Sequence, residues 1–172
     1  LRAKLRDRLA FQGAQRLVSL GGAATLMQAP GPQDGIEPLR RAVAAKIQRD
    51  YDQAFDPESE IVITSGATGG FAAAMLALCQ PGDEILLHSH IYGAVLKTAE
   101  HIATRTGAVI TSAELPFPDP SVESIVAAFA AAVTPRTRIV IVDHITSPGA
   151  LVLPLEQLVA VFREAGVPVL VD

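Results

Sequence analysis

The residues of this chain that could do chemistry stand at the ends of apolar segments. Residues 65–70, Ser-Gly-Ala-Thr-Gly-Gly, form a small polar turn between an apolar stretch at 61–64 and an Ala-rich stretch at 67–79. A helix that begins in such a turn presents unpaired N–H groups and a partial positive charge, and glycines let the backbone approach a ligand closely. The turn therefore predicts a site for an anion, a phosphate above all. A ring, a hydroxyl and a carboxylate follow later apolar segments at Tyr92, Ser147 and Asp172.

The elements that must position these residues follow from the apolar pattern. Helical spacing predicts helices over residues 1–17, 36–50, 67–79, 92–105, 122–133 and 155–165. Apolar runs predict strands at 61–64, 85–88, 108–111, 138–142 and 166–172, after a Gly/Pro-rich loop at 20–35. This order is typical of an α/β fold in three layers, with a largely parallel sheet and helices on both faces. The carboxyl ends of such strands form the ligand site, and the polar residues above lie there.

Composition narrows the class of protein. The chain has 172 residues, enough for one domain with a sizeable core, and a net charge of −4 with mixed signs. No basic stripe is present, so nucleic acid is not an expected partner. The longest apolar runs are too short to span a bilayer, and the first twelve residues lack the features of a signal peptide. Cys79 is the single cysteine, which favours the reducing cytoplasm.

Several phosphate ligands and a metal compete for the turn. A nucleoside triphosphate would require a P-loop lysine, and no Lys or Arg occurs between Arg49 and Lys97. A dinucleotide or sugar nucleotide would require another glycine spacing and an acid after the next strand, where the chain has His88-Ser89. His88 and His90 could begin a metal site, but a polar strand end is the favoured interpretation. Pyridoxal 5′-phosphate (PLP) needs a phosphate cradle, a flat stacking partner and an acid at its pyridine nitrogen, and the chain offers all three.

Several motifs resemble the fold-type I PLP enzymes, the aminotransferase superfamily. The segments GIEPLRRAVAAKIQRDY, FDPESEIVITSGAT and PGDEILL are similar to class I/II aminotransferases. The segments IYGAVL and HITSPGALVLPL resemble class V, the relatives of isopenicillin N epimerase and cysteine desulfurase. The resemblance implies an N-terminal helix and arm at 1–35, followed by the first part of the PLP-binding large domain at 36–172. It also implies an enzyme that is a homodimer when complete.

The resemblance assigns roles to individual residues. Gly66, Ala67 and Thr68 stand where backbone amides and a hydroxyl hold the cofactor phosphate, although a plain helix cap would use the same residue types. Tyr92 stands where a ring stacks on the pyridine, and the alternative is a Tyr packed on the sheet. Asp172 stands where an acid pairs with the pyridine nitrogen, and the alternative is a solvated strand end.

Two further polar residues have weaker assignments. Ser147 stands near the position of an Asn that contacts the cofactor's ring oxygen or the substrate, and a turn role beside Pro148 is an equal alternative. His144 is interpreted as a structural residue at a strand end. The substrates implied are an amino acid or related amine and a keto acid.

One departure from the family pattern concerns lysine. PLP enzymes hold the cofactor as a Schiff base to a lysine that lies beyond the acid-bearing strand, and Lys4, Lys46 and Lys97 do not match that position. We therefore expect the chain to be an N-terminal fragment, inactive alone, with its catalytic lysine beyond Asp172. Epimerase, lyase and desulfurase chemistry of class V stays open, as does a non-catalytic domain that keeps the fold.

Overall fold

The computed structural model describes residues 35–172, which contain five helices and four strands. The predicted helix at 1–17 and nearly all of the predicted arm lie outside the described residues. The helices are α1 Glu37–Tyr51, α2 Gly66–Leu78, α3 Gly93–Thr106, α4 Val122–Ala132 and α5 Leu155–Glu164. The strands are β1 Glu84–His88, β2 Val109–Ala113, β3 Thr137–Val142 and β4 Val169–Val171. Within these residues no helix is both long enough and apolar enough to cross a membrane.

The four strands form one parallel sheet in the order β2-β1-β3-β4. Successive side chains of a strand point to opposite faces, and the core divides accordingly. Ile85 and Leu87 of β1 pack with α2 and α3, whereas Leu86 packs with α4 and α5. The predicted α/β fold with helices on both faces is confirmed. The central strands β1 and β3 are largely apolar because both of their faces are covered, whereas the edge strand β2 carries Thr111 and Ser112 and is partly exposed.

The prediction of a strand at 61–64 is wrong: within residues 35–172 this segment pairs with no strand. These residues join no ladder, and the helix α2 begins after them with Ser65 as its N-cap. A strand exists only where a neighbouring strand accepts its hydrogen bonds, and none of the four described strands does so. The apolar pattern of this segment reflects burial instead, since Ile61 is only 7% exposed.

A cluster of ionic and polar side chains surrounds the buried Glu84 at the amino-terminal edge of the sheet. Glu84, at the start of β1, is 2% exposed and accepts hydrogen bonds from the Thr134 hydroxyl and from Nε of Arg136 at 2.9 Å. These two donors, the hydroxyl first, hold the pKa of Glu84 below its ordinary value of 4.5. The cluster lies at the edge opposite to the one where ligands bind, so its role is structural.

Candidate functional site

The turn before α2 leaves the start of the helix open. Gly66, the first helical residue, has φ +70°, a conformation that other residues adopt only with strain. The Ser65 side chain makes no capping hydrogen bond, and the first turn of α2 has no acidic residue. Ser65, Gly66 and Thr68 are exposed, while Ala67 packs against the core. The N–H of Gly66 donates to the carbonyl oxygen of Thr64 at 3.0 Å, whereas the next N–H groups of the first turn can face an anionic ligand.

Tyr92 lies at the start of α3, just beyond the carboxyl end of β1. It is the N-cap residue of the helix, and 48% of its surface is exposed. Its backbone N–H donates to Oδ2 of Asp143 at 3.0 Å. About half of the Tyr92 surface is therefore open to a ligand at this edge.

Asp172 follows β4 and is exposed. Its N–H donates to the carbonyl oxygen of Val142 and its own carbonyl oxygen accepts from the N–H of His144, both at 2.9 Å. The backbone of Asp172 is thus fixed beside the end of β3. Burial raises the pKa of Asp143 to about 6, and the negative charge of Asp172 acts in the same direction. Tyr92 and Asp172 therefore both adjoin Asp143.

Ser147 is exposed in the loop after β3. The loop is folded back on itself by an antiparallel bridge between Ile145 and Val152 and by the Thr146 hydroxyl, which accepts from the N–H of Leu151 at 3.1 Å. Thr146 is buried and anchors the loop, so the hydroxyl of Ser147 projects from a fixed support. The side chain of His144, in the same loop, is exposed.

His88 and His90 have different surroundings. His88 is buried, and its ring meets Phe129 edge to face at 5.9 Å, whereas His90 stacks with Phe117 at 5.5 Å. Burial, with a smaller effect of His90, lowers the pKa of His88 to about 4, so its ring is neutral. In residues 35–172 no group of three or more His, Cys, Asp or Glu side chains is placed to hold a metal ion.

The pair formed by His88 and Asp143 was not predicted from the sequence. The Asp143 N–H donates to Nε2 of His88 at 3.4 Å, and Nε2 lies 3.9 Å from Oδ2 of Asp143. Nδ1 of His88 and Oδ1 of Asp143 are buried without a hydrogen-bond partner among the described residues. The signal for Asp143 was available, because it follows an apolar strand directly, as Asp172 does.

Comparison with known proteins decides the family. Residues 15–172 match the family model described as aminotransferase class I and II. The chain belongs to this family. This aminotransferase chain is 38% identical over 133 residues to the probable N-succinyldiaminopimelate aminotransferase DapC of Mycobacterium tuberculosis (strain CDC 1551 / Oshkosh), covering 77% of this chain and 32% of that protein. It thus spans about a third of the length of such curated relatives.

Solved structures agree with the family. The N-succinyldiaminopimelate aminotransferase from Mycobacterium tuberculosis superposes with a TM-score of 0.70 at 29% identity, covering 99% of this chain and 40% of that one. The cystine C-S lyase C-DES superposes with a TM-score of 0.63 at 30% identity, covering 79% of this chain and 35% of that one. A C-DES mutant structure holds glycine linked covalently to its PLP cofactor. PLP is the cofactor of the aminotransferase family.

The residues at the carboxyl edge of the sheet fit PLP in kind. An uncapped helix start suits a phosphate, an exposed ring suits a stacking partner, and an exposed carboxylate suits a protonated pyridine nitrogen. The buried polar atoms of His88 and Asp143 that lack a partner lie at the same edge. Such atoms are rare in proteins.

Proposed function

We propose that the enzyme containing this aminotransferase chain transfers an amino group between an amino acid, or a related amine, and a keto acid with PLP as cofactor. The observation that carries the proposal is the meeting of Tyr92 and Asp172 around Asp143, at the carboxyl ends of β1, β3 and β4. A parallel sheet binds its ligand at this edge. The opposite edge, with the Glu84 cluster, offers no exposed ring beside a free carboxylate among the described residues.

The start of α2 binds the cofactor phosphate in this proposal. The backbone N–H of Ala67 and the hydroxyl of Thr68 supply the donors. The N–H of Gly66 donates to the carbonyl oxygen of Thr64 at 3.0 Å, so Gly66 lets the backbone approach the phosphate closely without donating to it. The first turn of α2 carries no lysine or arginine, so this helix acts on the phosphate through its dipole and these donors. The apolar side chains that follow, including Phe71 and Met75, anchor the helix in the core and keep the donors in place.

The remaining residues hold and tune the ring. Bound PLP supplies an electron sink for negative charge at the substrate Cα. Asp172 holds a proton at the pyridine nitrogen, because a carboxylate favours the charged form of a neighbouring base. The ring of Tyr92 stacks on the pyridine face and excludes water from it. The hydroxyl of Ser147 donates to the ring oxygen of the cofactor or to the substrate.

Lyase chemistry is the second candidate. The 30% identity with the cystine C-S lyase C-DES supports it, as does the class V character of the segment HITSPGALVLPL. Epimerase and desulfurase reactions belong to the same class V hypothesis. All of these reactions place the same demands on the phosphate cradle, the stacking ring and the acid, so the site residues are proposed for each of them.

One experiment separates these reactions. The full-length enzyme, loaded with PLP, is incubated with a panel of amino acids and one keto acid, and the products are identified by mass spectrometry. An aminotransferase forms a new amino acid and a new keto acid in equal amounts, and needs the added keto acid to turn over repeatedly. Release of pyruvate and ammonia, with sulfide from cysteine or with cysteine persulfide from cystine, would instead establish the lyase. Formation of alanine from cysteine with transfer of its sulfur to the enzyme would establish the desulfurase, and inversion without any of these products the epimerase.

We extend the proposal to assembly, location and domain organisation. A homodimer is proposed from the resemblance to the aminotransferase superfamily, and sedimentation of the full-length enzyme tests it. A cytoplasmic location is proposed because the chain has a single cysteine, Cys79, which cannot form a disulfide within the chain. The division into an arm at 1–35 and a cofactor domain from 36 onward remains a proposal, and limited proteolysis tests it.

A further inference from the structure

We infer that Asp143 is a positioning residue that holds the ring of Tyr92 in place through the backbone of that residue. The inference rests on the proposed function, in which Tyr92 stacks on PLP. No role follows for Asp143 from the family resemblance. Asp143 acts on the ring indirectly, because it contacts the N–H of Tyr92 and not the ring itself.

The contact lies where it controls the direction of the ring. Oδ2 of Asp143 accepts the N–H of Tyr92 at 3.0 Å, and Tyr92 is the last residue before the first turn of α3. Its side chain is 48% exposed, so packing alone does not restrain it. The direction of the Cα–Cβ bond is set by the backbone. The carbonyl oxygen of Tyr92 accepts from the N–H of Leu96 at 3.1 Å, but its own N–H has no partner within the helix. A hydrogen bond to this N–H therefore restrains the base of the ring.

Asp143 is itself held on the sheet. It follows β3 directly, is 3% exposed, and donates its own N–H to Nε2 of His88 at 3.4 Å. His88 ends β1, the strand beside β3, and its buried ring packs on Phe129. A chain of contacts thus runs from Phe129 through His88 and Asp143 to Tyr92. It transmits the rigidity of the core to an exposed ring.

The contact requires an oxygen acceptor and not a charge. Burial raises the pKa of Asp143 to about 6, with Asp172 adding to the effect, so the carboxyl group can be neutral or ionised under mildly acidic conditions. Either form keeps a lone pair on oxygen for the N–H of Tyr92. Asparagine offers the same acceptor in nearly the same volume, whereas alanine offers none. The two substitutions separate the hydrogen bond from the charge.

The test compares four variants of the full-length enzyme. Asp143→Ala removes the acceptor, Asp143→Asn keeps it, and Tyr92→Ala removes the ring. Asp83→Ala is the matched control, because Oδ2 of Asp83 accepts the N–H of Gln80 at 2.8 Å at the opposite edge of the sheet. Three quantities are measured: the dissociation constant of PLP, the visible circular dichroism of bound PLP, and hydrogen exchange of the 89–96 amides in the cofactor-free enzyme.

Asp143→Ala should weaken PLP binding on the order of tenfold, the loss expected for one hydrogen bond to a charged or polar group. It should also reduce the circular dichroism of bound PLP and speed exchange at 89–96, while Asp143→Asn stays within about twofold of the wild type. The Asp83→Ala control should lower thermal stability and leave all three quantities unchanged.

The other outcomes contradict either the positioning role of Asp143 or the stacking role of Tyr92. If Asp143→Ala lowers stability alone, or if Asp143→Asn is as impaired as Asp143→Ala, the positioning role is overturned. If Tyr92→Ala leaves PLP binding and its circular dichroism unchanged, the stacking role in the proposed function fails, and the exchange data on Asp143→Ala still report whether the contact restrains residues 89–96.

Discussion

Replacing Asp143 by Asn should make the stability of the enzyme depend steeply on pH between about 4 and 6.5. His88 and Asp143 are buried side by side, with Nε2 and Oδ2 3.9 Å apart. Burial lowers the pKa of His88 to about 4, aided by His90, and raises the pKa of Asp143 to about 6, aided by Asp172. At pH 5 both groups are therefore neutral in the folded protein. In the unfolded chain both are charged at that pH.

The two effects oppose each other. A difference of one in a pKa corresponds to about 1.4 kcal/mol. His88 binds its proton more weakly when folded, so acidification from about 6.5 to 4 costs about 3 kcal/mol of stability. Asp143 binds its proton more tightly when folded, so acidification from about 6 to 4 adds about 3 kcal/mol. In the wild type the two contributions nearly cancel. Asn at 143 removes the stabilising one and keeps the acceptor for Tyr92.

The assay is unfolding of the full-length enzyme by urea at several values of pH from 4 to 7, for the wild type, Asp143→Asn and His88→Gln. Relative to the wild type, Asp143→Asn should lose stability as the pH falls, and His88→Gln should gain it. Parallel profiles for Asp143→Asn and the wild type would refute the reasoning. They would mean that Asp143 takes up no proton in the folded protein over this range, and therefore that its pKa is not raised.

Three further predictions concern the two edges of the sheet. Thr68→Ala should weaken PLP binding by about 1–2 kcal/mol, because one hydroxyl donor is lost, and equal affinity in a fluorescence titration would remove Thr68 from the phosphate site. Asp172→Asn should still bind PLP but exchange the substrate Cα proton far more slowly, which deuterium wash-in measures; undiminished exchange would contradict the role of Asp172. Glu84→Ala should destabilise the enzyme by about 1–3 kcal/mol in urea, because it removes the acceptor of the half-buried Thr134 hydroxyl and of Arg136, with PLP affinity unchanged; a weakened affinity would show that the two edges are coupled.

The sequence alone determined the class of fold and much of the candidate site. Apolar runs bounded by polar turns predicted the strands now seen as β1, β2, β3 and β4 to within a few residues at their ends. Helical spacing predicted α1 to α5 in the same way. These predictions succeed because the spacing of apolar residues in each element shows which of its faces is buried. The parallel order predicts that the residues after each strand lie at one edge of the sheet, and this prediction made Tyr92 and Asp172 candidate site residues.

Only the tertiary structure decided which residues contact one another. The segment 61–64 has the composition of a strand, but a strand needs a neighbour, and that neighbour is not encoded in the segment itself. The sequence indicates a polar strand end at His88. In the structure His88 lies on the face covered by Phe129, which buries its ring and lowers its pKa. Asp143 and Tyr92 are 51 residues apart in sequence and joined by one hydrogen bond of 3.0 Å. Local patterns record how each residue meets solvent, whereas such long-range contacts depend on the packing of β1, β3 and α3 together.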